Sequence, residues 1–66
     1  MSRPERIRAA LRELEAAGVV RDVWAHNANG RKWVFTPAGH SERSLTTSQV
    51  EDFILGARAA LAAKHA

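Results

Sequence analysis

The stretch GVVRDVWAHNANGRKWVFTPAG, residues 18–39, changes the periodicity of the chain and thereby decides its fold. On either side of the polar segment NANG, residues 27–30, it carries valine, tryptophan and phenylalanine in short runs bounded by turn formers. That is the pattern of two antiparallel strands, here over residues 19–26 and 31–36. The connection is compatible with a two-residue Asn29-Gly30 turn or with a four-residue loop from Asn27 to Gly30. The two registers differ by an even shift, so both place Val20, Trp24, Trp33 and Phe35 on one face with Asp22, His26 and Arg31. The other face then carries Val19, Val23, Ala25 and Val34 with Arg21, Lys32 and Thr36. Neither face is purely polar, and this points to a second subunit lying against the hairpin or pairing with its open edge.

Upstream of this stretch, Ser2 and Glu5 have the spacing of a capping box, and Pro4 sits in the first turn, where its missing N–H is no loss. Gly18 marks the other end, because it adopts the left-handed conformation that closes a helix. Between them Ile7, Ala10, Leu11, Leu14 and Ala17 recur at helical period, while Glu5, Arg8, Arg12 and Glu15 take the wet side. A helix over residues 3–17 follows.

Downstream, residues 37–44 are rich in turn formers and read as a loop. Thr46 and Gln49 repeat the capping-box spacing, with Leu45 and Val50 placed as a hydrophobic staple. The second helix covers residues 47–64, with Val50, Phe53, Ile54, Ala57 and Leu61 as its core stripe. Leu55, Ala59, Ala62 and Ala66 form a narrow apolar row on the opposite side. Alanine is simply a good helix former, but such a row also suits close contact between helices of a dimer centred on Leu55. The expected architecture is a single α+β domain over residues 1–66, of order αββα.

With 66 residues the domain buries a modest core, about 60% of the surface of the unfolded chain. Domains of this size usually add a disulfide, a metal or a partner. The chain has no cysteine, and His26, His40 and His65 are far apart without a carboxylate cluster, so neither a disulfide nor a metal site is expected. A homodimer is therefore the expected source of added stability. No apolar run approaches the length of a membrane span, and the N-terminal residues lack the hydrophobic core of a signal peptide. A cytoplasmic protein is expected.

Nothing in the chain points to catalysis. It lacks cysteine and tyrosine, has no G-x-S-x-G or H-E-x-x-H pattern, and offers no glycine-rich phosphate loop. No catalytic residue, cofactor, metal or small-molecule substrate is expected. Ten Lys and Arg against seven Asp and Glu give a formal charge of +3, too small to identify a partner by itself.

The order of residues is more informative. A proline-started helix with an A-L-R-x-L-E-x-x-G ending runs straight into a hairpin that closes in T-P-A-G. Over residues 3–39 this resembles the second half of a winged helix-turn-helix domain, especially of the PadR-like type. The residues that carry the likeness are Pro4, Ile7, Ala10, Leu11, Leu14, Glu15 and Gly18 in the helix, and Trp24, Arg31, Lys32, Trp33, Thr36, Pro37 and Gly39 in the hairpin. The resemblance implies that the first helix enters the DNA major groove and that the hairpin tip touches the adjacent backbone or minor groove. Double-stranded DNA would then meet Arg3, Arg6, Arg8 and Arg12 on the helix, and Asn27, Asn29, Arg31 and Lys32 at the tip. The two helices that precede the recognition helix in that family have no counterpart in residues 1–66, so the C-terminal helix or a second subunit is expected to supply their packing.

The acids Glu5, Glu13 and Glu15 interleave with the helix arginines, and they set up a competing expectation: a small homodimeric adaptor of phage or mobile-element type that binds protein and no nucleic acid. In that case Glu5, Glu13 and Glu42 neutralise Arg3, Arg6, Arg31 and Lys32. In both cases Leu55, Ala59 and Ala62 are the expected dimer contacts. Trp24 and Trp33 are candidates for base stacking, but a chain with four aromatic side chains is expected to use both in its core. His26 and His40 are expected to be exposed turn residues.

Overall fold

A computed structural model describes residues 2–27 and 30–65, with His65 described by its backbone alone. Helix α1 spans Arg3–Ala16 and begins as its sequence requires, with the Glu5 amide donating to Ser2 Oγ at 3.3 Å. It ends where Gly18 takes φ 79°, which lets the Val19 amide turn back to the Leu14 carbonyl at 2.9 Å. Ala17, expected on the buried stripe, is the exposed C-cap instead, since the helix stops one residue before it.

Three strands follow, β1 (Val20–His26), β2 (Lys32–Pro37) and β3 (Arg43–Thr46), paired antiparallel in the order β1-β2-β3. The fold is therefore α+β, as expected, but the sheet has three strands where two were expected. β3 falls partly within the expected loop and pairs Leu45 with Trp33 and Ser44 with Val34. Four residues of weak alternation leave little signal against the turn formers before them, and Thr46 serves both as strand end and as helix cap.

Below a bulge the hairpin keeps the register of the four-residue loop, with Arg21 opposite Thr36, but near the tip it differs from both expected registers. His26 pairs with Lys32, so five residues separate the strands at the tip, and Ala25 pairs with Trp33 and Trp24 with Val34. Lower down, Arg21 pairs with Thr36 and Val20 with Pro37, so Asp22 and Val23 together stand opposite Phe35. This is a β-bulge, with Asp22 at φ 55° in the left-handed region that aspartate tolerates better than most residues. The odd offset above the bulge turns every side chain there to the other face. Trp33, Phe35 and Val20 do share the core, yet Trp24 does not join them: it is 51% exposed, while Trp33 is 1% exposed.

Helix α2 (Thr47–His65) starts from a complete capping box, with the Thr46 amide donating to Gln49 Oε1 at 3.0 Å and the Gln49 amide to Thr46 Oγ1 at 3.2 Å. Both helices lie on one face of the sheet. Ile7, Ala10, Leu11 and Leu14 of α1 and Val50 and Ile54 of α2 close over Val20, Trp33 and Phe35, and Phe53, Ala57 and Leu61 pack at the margin. The indole N–H of Trp33 donates to Thr47 Oγ1 at 3.3 Å, tying the start of α2 to the central strand. Cross-helix ion pairs join Arg3 to Glu51 and, further along both helices, Glu13 to Arg58 at 3.2 Å. The helices therefore run parallel, and α2 supplies the packing against α1.

Candidate nucleic-acid interface

Parallel helices have an electrostatic consequence. The Thr46–Lys32 pairing puts the start of α2 at the level of the hairpin tip, and the Arg3–Glu51 pair brings the start of α1 to the same end. Two positive dipole ends and the tip loop thus face one way.

The basic residues expected at this end divide into groups. Arg3 is engaged: its Nε donates to Glu51 Oε2 at 3.0 Å, and its terminal nitrogen donates to Glu51 Oε1. That clasp holds the Glu51 carboxyl below the usual carboxylate range, chiefly through the hydrogen bond from Arg3. Arg6 is exposed and lies on the α1–α2 side, where its charge also favours ionised Glu51. Arg8 and Arg12, one helical turn apart, face the other way. They line a groove of about 410 Å³ between α1 and β1 together with Glu15, Val23 and Trp24. Among the described residues, neither Arg8 nor Arg12 makes an ion pair.

At the tip, Arg31 Nε donates to Asn27 Oδ1 at 3.1 Å, and the guanidinium carbon sits 5.5 Å from the centroid of the Trp33 ring. The guanidinium is thereby held on the helix-bearing face of the sheet. Lys32, its neighbour, belongs to the open face, in register with His26 and Thr46. Asn29 lies outside the described residues.

The seven expected DNA contacts among the described residues are thus spread over three surfaces. Two of these meet along edge strand β1: the groove with Arg8 and Arg12, and the open sheet face. That face carries Arg21, Trp24, His26 and Lys32, and Arg21 is paired with the carboxylate of its bulge neighbour Asp22 at 3.9 Å. Trp24 and His26 have ring centroids 5.3 Å apart at 33°, and His26 is half-buried in the strand and not a free turn residue. Trp24 and His26 are the members of this surface that sequence reasoning assigned elsewhere. A signal for them exists in VRDVWAH: Val20 and Val23 flank two polar residues, and both valines reach the core side only if the strand carries an extra residue between them.

The expected neutralisation by Glu5, Glu13 and Glu42 takes a different form. Glu13 pairs with Arg58, and Arg3 pairs with Glu51. Leu55 is 66% exposed on α2, and Ala59 and Ala62 are exposed beside it. Among the described residues no group of His, Asp and Glu side chains is arranged to hold a metal ion, and no helix is long and apolar enough to cross a membrane.

Comparison with protein families, with curated proteins and with solved structures returns no significant match.

Proposed function

We propose that this chain is a small cytoplasmic DNA-binding protein that holds a duplex mainly by its phosphates, acting as a transcriptional regulator or accessory factor. The observation that carries this reading is the placement of Arg8 and Arg12 along the β1 edge, without ion-pair partners among the described residues, beside a tip bearing Arg31 and Lys32. Arginine and lysine in such a band neutralise backbone phosphates whatever the base sequence. In keeping with the winged-helix resemblance, α1 is the element offered to a groove and the β1–β2 tip the element offered to the adjacent backbone. Arg3 acts from behind, by fixing α1 to α2.

The acting unit in this proposal is a homodimer. Leu55 is the exposed centre of the α2 face, and an antiparallel pair of α2 helices crossing there sets Asp52 opposite the second copy's Arg58, since each is three residues from Leu55. The opposite charges recur symmetrically, as a two-fold contact requires. Adaptor function without nucleic acid would use this same face.

Fluorescence anisotropy of labelled random-sequence duplex DNA, at low and physiological salt, tests the proposal. Binding that weakens steeply with salt supports it, and absence of binding at low salt rejects it in favour of a protein partner.

A further inference from the structure

We propose that Trp24 is a stacking site for one unpaired nucleobase, so that the DNA this protein prefers has an unpaired base next to duplex. The inference rests on the DNA-binding reading and specifies the form of DNA recognised. Its basis is the bulge. An unbroken β1 ladder in either register expected from the turn would seat Trp24 beside Trp33, within the core. Instead Asp22 takes a left-handed backbone conformation, Val23 fills the core side, and Trp24 emerges on the open face at 51% exposure. Bulges commonly re-aim a side chain at a working surface.

What surrounds the indole selects the occupant. His26 stacks against it at a tilt, extending the aromatic surface along the strand. Lys32 is in register with His26, and Arg21 stands on the same face with a side chain 73% exposed. Across the strand edge, Arg8 and Arg12, two cations against the single carboxylate of Glu15, line the groove that Trp24 also borders. A planar, polarisable group flanked by anions meets all of these neighbours at once. A nucleotide has that composition: a base with a π face, carried on a chain of phosphates. Arg21 is paired with Asp22 at 3.9 Å, but an apolar protein surface that satisfied Trp24 would bury Lys32 against nothing of opposite charge. Paired bases inside a duplex have no free face, so the stacked base must be an overhanging or looped-out one.

The test compares three labelled DNAs with the full chain: a blunt duplex, the same duplex with a short thymine overhang, and the same overhang made of abasic nucleotides. The thymine overhang should tighten binding about tenfold over the blunt duplex, and the abasic overhang should not. Trp24→Ala should abolish that gain, bringing thymine and abasic overhangs to equal affinity, and Trp24→Phe should keep part of it. In the wild type, the thymine overhang should also protect Trp24 fluorescence from iodide, since Trp33 is already buried. Equal affinity for thymine and abasic overhangs, with the blunt duplex still bound, would overturn the stacking site and leave phosphate binding standing. Failure of all three DNAs to bind at low salt would overturn both.

Discussion

Trp24 stands opposite Val34 in the β1–β2 ladder, and this pairing puts the indole outside the core that holds Trp33. One extra residue in β1 is responsible. Because side chains alternate along a strand, an odd offset exchanges the two faces above the bulge, and here it exchanges a core aromatic for a surface one. The binding surface inferred for this protein follows from that offset.

The two tryptophans should therefore differ sharply on truncation. Trp33→Ala removes a fully buried ring and its bond to Thr47, and should destabilise by about 3–5 kcal/mol, enough to unfold so small a domain. Trp24→Ala should stay within about 1 kcal/mol of wild type, as exposed substitutions do. Urea denaturation followed by circular dichroism measures both, and comparable losses would mean that Trp24 belongs to the core.

Asp22 supplies a second check. Replacement by a β-branched residue at φ 55° should be strained, so Asp22→Val should be less stable than Asp22→Gly by about 1–2 kcal/mol. Equal stability of the two variants in the same denaturation experiment would argue against the left-handed bulge.

The Arg3–Glu51 clasp predicts a pH dependence. Glu51 has its carboxyl pKa lowered in the folded state, so its contribution is complete above the ordinary carboxylate range and is lost as pH falls through the lowered value. Both side chains are solvent-accessible, so the effect is modest. Thermal melts at neutral and acid pH should show Glu51→Gln less stable than wild type at neutral pH only. A difference that persists in acid would assign the loss to something other than this ion pair.

Leu55 tests the dimer. Leu55→Glu should sediment as a folded monomer where the wild type sediments as a dimer, because the side chain is exposed in the isolated chain and its loss leaves the core intact. A mutant that sediments as the wild-type dimer does would place the contact elsewhere.

Helix ends and core stripes were legible because each rests on short-range chemistry. The pairs Ser2 with Glu5 and Thr46 with Gln49, and the glycine at 18, state their roles within a few residues. The core face of α2 was equally plain from the spacing of Val50 and Ile54. Strand register was legible only below the bulge, because the extra residue in β1 and the five-residue connection shift the pairing near the tip by one residue. Arg43–Thr46 carries little strand signal of its own, because its pairing with β2 is what makes it a strand. Of the candidate DNA contacts, residue type was legible and surface was not: Arg3 is taken up by Glu51 from the far end of the chain, and Arg31 and Lys32, though adjacent, serve opposite faces.

The most direct test of the DNA-binding account is the salt dependence of duplex affinity, measured for wild type, Arg8→Ala/Arg12→Ala and Arg31→Ala/Lys32→Ala. Each phosphate neutralised contributes about 0.9 to the slope of log affinity against log salt. The account predicts a steep slope for wild type and a slope shallower by about 1–2 in each double variant, with binding weakened alike for all sequences and the dimer intact. Slopes and affinities unchanged in both variants would remove the β1-edge arginines and the hairpin tip from any contact with DNA.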